Sequence, residues 1–136
     1  MVLILSMFLF LASLTQYAYL TEGGSNDGGD RAFVLLLFGW LGTLTTGAGI
    51  SWLANPLLII SWITFYKKKK IALPLSIGAM VMAASFLFFK SIITDEAGNE
   101  HAIIGYCAGY WLWLSSCIVC FTGALIYATM KKGSAQ

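Results

Sequence analysis

The residues able to do chemistry in this chain are few and scattered. Cys117 and Cys120 stand at i and i+3 in "CIVC", a spacing that puts both thiols on one helix face and that redox-active pairs also use. Asn55 directly precedes Pro56 inside "SWLANPLLIISWITFYKKKK", and Thr43, Thr45 and Thr46 lie upstream among glycines. His101, the only histidine, follows Glu100 in a segment that also holds Asp95 and Glu96. Thiol–disulfide exchange, polar capture of a small solute and metal ligation are the three chemistries these sets suggest.

The thiol and metal chemistries meet physical objections. The cysteine pair falls near the middle of an apolar stretch, where the charged, reactive thiolate is disfavoured. Cys107, the third cysteine, lies in or beside the same stretch, so no loop thiol is left to relay electrons. Buried cysteine commonly packs as a small hydrophobe. One histidine cannot supply both axial ligands of a haem, and a structural zinc site needs four ligands. No metal or cofactor is therefore expected. The glycine-rich run at 23–29 follows an apolar span, the wrong context for a phosphate loop. No nucleophile elbow, paired-carboxylate site or nucleic-acid-binding surface is present in the pattern, and the expected protein is not an enzyme.

The elements that must carry these residues are set by hydropathy. Of 136 residues, 59% are hydrophobic and 10% charged, against roughly 25% charged in a soluble domain. Mean hydropathy is +0.81. A soluble domain this small leaves too much surface exposed to hide that content, so the expected solvent is the lipid bilayer. Four apolar stretches stand out, at about 2–20, 32–66, 71–90 and 103–130. A helix of about 19 residues reaches roughly 28 Å, close to the ~30 Å hydrocarbon core. The expectation is an all-α, four-helix membrane bundle forming a single domain.

Charge sets the threading. All six acidic residues lie in two connecting segments, as Glu22, Asp27 and Asp30 and as Asp95, Glu96 and Glu100. Lys67, Lys68, Lys69 and Lys70, with Lys131 and Lys132, lie in the others. The positive-inside rule places the lysine clusters in the cytoplasm and leaves both termini there. The tetralysine then reads as a topology anchor, each lysine adding about 1 kcal/mol near an anionic leaflet. Arg31 and Lys90 fall at outer ends, where long side chains can snorkel. The first stretch lacks a basic leader region and a small-x-small cleavage site, and is expected to be retained as a helix.

The second stretch, 32–66, is about 52 Å if straight, far more than one crossing needs. Its middle, 43–50, is rich in glycine and threonine, poor helix formers. Two pieces are predicted, Ala32–Thr43 and Ser51–Tyr66, joined by a break. Asn55 then reads as an N-cap with Pro56 in the first turn, or as a polar point in a ligand pathway such as interrupted helices build. Gly105 and Gly109 form G-x-x-x-G, a spacing that lets helices pack closely. The aromatic run "GYWLWL" suits the outer interface, and the deeper Trp113 needs a partner for its indole N–H, a threonine or carbonyl on the broken span.

"GWLGTL" (Gly39–Leu44), "WLANPL" (Trp52–Leu57) and "GYWLWLSS" (Gly109–Ser116) together resemble a group of small, uncharacterised four-helix bacterial inner-membrane proteins. The resemblance implies a multi-pass inner-membrane location and four helices, and it implies no activity. The expected function is that of a non-enzymatic accessory or scaffold subunit packing against a larger membrane complex or against itself. A channel or transporter for a small neutral or anionic solute, built on the broken span, is the alternative. Thiol chemistry at Cys117 and Cys120 ranks third.

Overall fold

A computed structural model describes residues 1–22, 29–45, 47–67, 69–93 and 99–133; Thr46, Lys68, Asp95 and Glu96 lie outside these. The order of elements is α1 (Val2–Leu14), β1 (Tyr17–Thr21), β2 (Gly29–Arg31), α2 (Ala32–Thr45), a 3-10 turn (Ala48–Leu53) and α3 (Ala54–Thr64). Then come α4 (Lys69–Ser85), a closing 3-10 turn (Phe86–Phe88), β3 (Ser91–Ile93), β4 (Glu100–Tyr106) and α5 (Ala108–Gly133). The chain is mostly helical, as expected, but it is not all-α.

A four-stranded antiparallel sheet in the order β2-β1-β4-β3 is the main correction. The first apolar stretch is not one helix: α1 ends at Leu14, where Thr15 bonds back to the Ala12 carbonyl at 2.8 Å. Tyr17–Thr21 then pairs with β4, matching Tyr19 to Tyr106 and Leu20 to Gly105. The start of the fourth stretch is likewise strand, because Ile103 and Ile104 favour a pleated, half-buried surface. Hydropathy cannot distinguish a short apolar strand from a helix end. Each strand adjoins a helix end, after α1 and α4 and before α2 and α5, so the sheet sits over one end of the helices.

Below the sheet, α1 packs on α5, α5 on α4 and α4 on α3. The seams are made by small residues. Ser6, Ser61, Ser76, Ala79, Ala83, Ser116 and Cys117 are fully enclosed, and such side chains let backbones approach closely. Ser6 donates to the Ser116 carbonyl at 2.9 Å and accepts from the Trp62 indole at 3.0 Å, tying three helices together. The large side chains point outward: Ile4, Phe8 and Leu11 on α1, Ile63 on α3, Val81 on α4 and Ile126 on α5 are all exposed. By length and composition, 70–88 and 108–130 can cross a hydrocarbon core, whereas Val2–Leu14, Ala32–Thr43 and Ala48–Thr64 are shorter apolar helices.

The second stretch is broken, but as a hairpin rather than as two halves of one crossing. At its start, the Ala32 amide donates to the Gln16 carbonyl at 3.0 Å. Just past its end, Gly47 faces the Phe89 ring, where an added Cβ would stand at 3.1 Å. Both ends of α2 therefore remain at the sheet end. The chain then doubles back, with Gly49 on the backbone of Gly42 and Trp52 on Gly39. Only 48–64 enters the helix pack. Pro56 lies in the first turn of α3, as expected for a residue without an amide hydrogen.

Candidate functional site: a cavity under the sheet

Because α2 is held mainly by its own 3-10 return and only lightly by α1, space remains between it, the sheet and the start of α5. That space is a half-open cavity of about 610 Å³, within the ~300–1,000 Å³ common for small-molecule sites. Its wall is largely apolar, with Phe10, Leu14, Leu35, Trp52, Ile92 and Tyr110 among the contributors. Ser13 and Ser51 also line it, but their hydroxyls are spent on the Phe10 and Ala48 carbonyls at 2.6 and 2.7 Å.

Two polar groups do more. Tyr19 of β1 is paired in register with Asp30 of β2, and both line the cavity. Burial first, then the neighbouring Asp30, push the Tyr19 phenol far above its ordinary range. Tyr19 thus stays a neutral donor at the sheet side of the cavity, with Asp30 beside it.

Asn55 is the second. It is 93% enclosed, at 7% exposure, and its Oδ1 accepts the Trp113 indole N–H at 2.9 Å. An indole can only donate, so this bond identifies which amide atom is oxygen. Nδ2 donates to no acceptor among the described residues. Every fully enclosed side-chain nitrogen or oxygen there has a partner, so Nδ2 opens on to the cavity that Asn55 lines.

The expected N-cap role of Asn55 is corrected by this geometry. Leu53 occupies the cap position of α3, and no side chain caps it. The 3-10 turn runs straight into the helix, and its Ser51 and Trp52 carbonyls already accept the amide of Ala54. The partner expected for Trp113 is on the broken span, but it is an asparagine amide rather than a threonine or backbone carbonyl. Thr43 bonds to the Trp40 carbonyl of its own helix and is not among the cavity-lining residues. Thr45 is the last residue of α2.

Gly105 and Gly109 do not form one helix face. Gly105 is in β4, and nothing lies within 4 Å of where its Cβ would be. Gly109, in the first turn of α5, abuts β1, with a Cβ position 2.6 Å from the Tyr17 carbonyl oxygen. Cys117 and Cys120 are free thiols at 0% and 1% exposure, and Cys107 is half-buried between β4 and α5. Cys120 packs 3.5 Å from the Ser61 hydroxyl. Maleimide applied to the folded protein in mild detergent is expected to modify Cys107 well before the other two, as peptide mass mapping would show. Equal labelling of Cys120 would mean that the α3–α5 seam opens.

His101 Nδ1 lies 2.8 Å from the Glu22 carbonyl, and Glu100 accepts from Ser91 at 2.9 Å, so both serve the sheet edge. Lys67, just past α3, and Lys70, in the first turn of α4, are exposed at the end away from the sheet. Sequence reasoning missed the Tyr19–Asp30 pair and the serine seam. The signal for the seam was there: Ser6 and Ser13 recur one heptad apart in an otherwise apolar helix. No family model, curated protein or solved structure matches the chain.

Proposed function

We propose that this chain is a multi-pass integral membrane protein, with the sheet on the outer side and Lys67–Lys70 on the cytoplasmic side, acting as a non-enzymatic binding subunit. One observation carries the reading: serine, alanine and cysteine fill much of the seams beside a few large residues such as Phe10, Leu58 and Leu114, while many isoleucine, leucine and phenylalanine side chains face out. In water that arrangement exposes apolar surface far beyond ordinary patches. In lipid it is the expected one. The short helices fit as well, since the sheet extends α1 and the 3-10 turn extends α3, and the resemblance to small four-helix bacterial inner-membrane proteins agrees.

A through-channel is less well supported. Below Asn55 and Trp113 the helix pack is filled by Leu58, Ser61, Cys117 and Cys120, all essentially inaccessible. A cavity closed at its inner end suits holding a guest or a partner segment better than passing a solute. Native mass spectrometry of the protein extracted from its own membrane in mild detergent is expected to show a stoichiometric larger partner or a homo-oligomer. A lone monomer would remove the subunit reading.

A further inference from the structure

We infer that the cavity under the sheet is a site for an uncharged, chain-like molecule bearing a carbonyl acceptor, of the glycerolipid-ester or quinone type, anchored by the Asn55 side-chain amide. The inference rests on the membrane reading above and adds the ligand class to it.

Asn55 supplies the anchor. Its oxygen is fixed by Trp113 at 2.9 Å, which locks the amide plane and leaves both Nδ2 hydrogens directed elsewhere. Because Nδ2 opens on to the cavity and has no protein acceptor among the described residues, a ligand oxygen placed there gains a neutral hydrogen bond. That oxygen must lie deep, where the 3-10 return enters α3 and meets α5. The remaining wall is apolar and suits hydrocarbon: Phe10, Leu35, Phe86 and Ile92 line it. Tyr19 stands beside Asp30 on the paired strands β1 and β2, so an anion drawn to its hydroxyl would also meet that carboxylate.

Charge selects against acids. Asp30 is in the lining, and no lysine, arginine or histidine is. A carboxylate or phosphate placed wholly inside would meet a carboxylate and no counter-charge. A neutral carbonyl meets a free amide donor. Access is through the loosely held α2, whose exposed Phe33, Leu37 and Trp40 face outward and would meet the acyl region of a bilayer.

The test uses the full-length protein, delipidated in mild detergent and titrated under native mass spectrometry with four probes: monopalmitoylglycerol, its hexadecyl ether analogue, a decyl-substituted benzoquinone and palmitate. Saturable one-to-one binding of the ester is expected, with the ether roughly threefold to tenfold weaker, the range of one neutral hydrogen bond. Asn55→Leu should erase the ester–ether difference. Leu35→Trp fills the cavity from α2 without touching the Asn55–Trp113 bond, and should abolish binding even if Asn55→Leu folds poorly. Tighter binding of the quinone than of the ester, with the same loss in Asn55→Leu, supports the site and identifies the source of the carbonyl. Palmitate binding as tightly as the ester would overturn the selection for neutral ligands. Absence of saturable binding, or binding unchanged in Leu35→Trp, would overturn the site. None of these readouts depends on a protein partner, so failure here and failure of the subunit reading are separable.

Discussion

Gly49→Ala is expected to release α2 from the 3-10 turn that holds it. The Cβ it adds would fall on the backbone of Gly42 and Thr43, and backbone cannot rotate aside as a side chain can. Overpacking of a tight contact costs about 1–3 kcal/mol and more where nothing yields; the rigid hairpin places this variant at about 3 kcal/mol. Release has a signature beyond stability. The Trp52 indole now donates to the Leu36 carbonyl at 3.1 Å and would lose that partner, so tryptophan emission should shift to the red while far-UV circular dichroism changes little. Equal loss of both signals would mean that the hairpin and the helix pack are one cooperative unit.

Ser6→Leu is expected to be the most damaging change in the helix seam. The hydroxyl at Ser6 is inaccessible, donates to α5 and accepts from Trp62 of α3. Leucine forces three extra carbons between those helices, about 1–3 kcal/mol, and leaves the indole N–H without its acceptor, about 1–3 kcal/mol more. Ser6→Ala adds no bulk but leaves the same indole N–H without its acceptor, so it should cost about half as much. Thermal unfolding of the three proteins in one detergent checks the order. If alanine proves as harmful as leucine, the hydrogen bonds rather than the packing dominate the seam.

Parts of this architecture were legible in the sequence for identifiable reasons. Alpha-helical stretches announce themselves by unbroken apolar content, and the glycine–threonine run with Pro56 marked a break that is present. What hydropathy could not report was direction. A break that bends a helix and one that reverses it have the same composition, and only the Gly42–Gly49 and Gly39–Trp52 contacts separate them. The sheet was hidden for a related reason: its central strands, Tyr17–Thr21 and Glu100–Tyr106, are paired across most of the chain, and "YAYLT" is apolar enough to pass for a helix end. For the cavity, Asn55 and Trp113 were both noticed, but their meeting depends on the α3–α5 crossing, which no local pattern encodes. Gly109 misled because a small residue near a span reads as a helix contact, whereas here it makes room for a strand.

Both the proposed function and the proposed ligand class require a membrane setting with the sheet end on the outer side. Cysteines introduced one at a time at Glu22 and Lys67, both exposed and at opposite ends of the helix pack, in a Cys107→Ser background that keeps only the buried Cys117 and Cys120, would be treated with a membrane-impermeant maleimide in intact cells and in inverted membrane vesicles. Glu22→Cys is expected to be labelled only in cells and Lys67→Cys only in inverted vesicles. Labelling of both positions from the same side, or recovery of the protein in the soluble fraction, would contradict that setting.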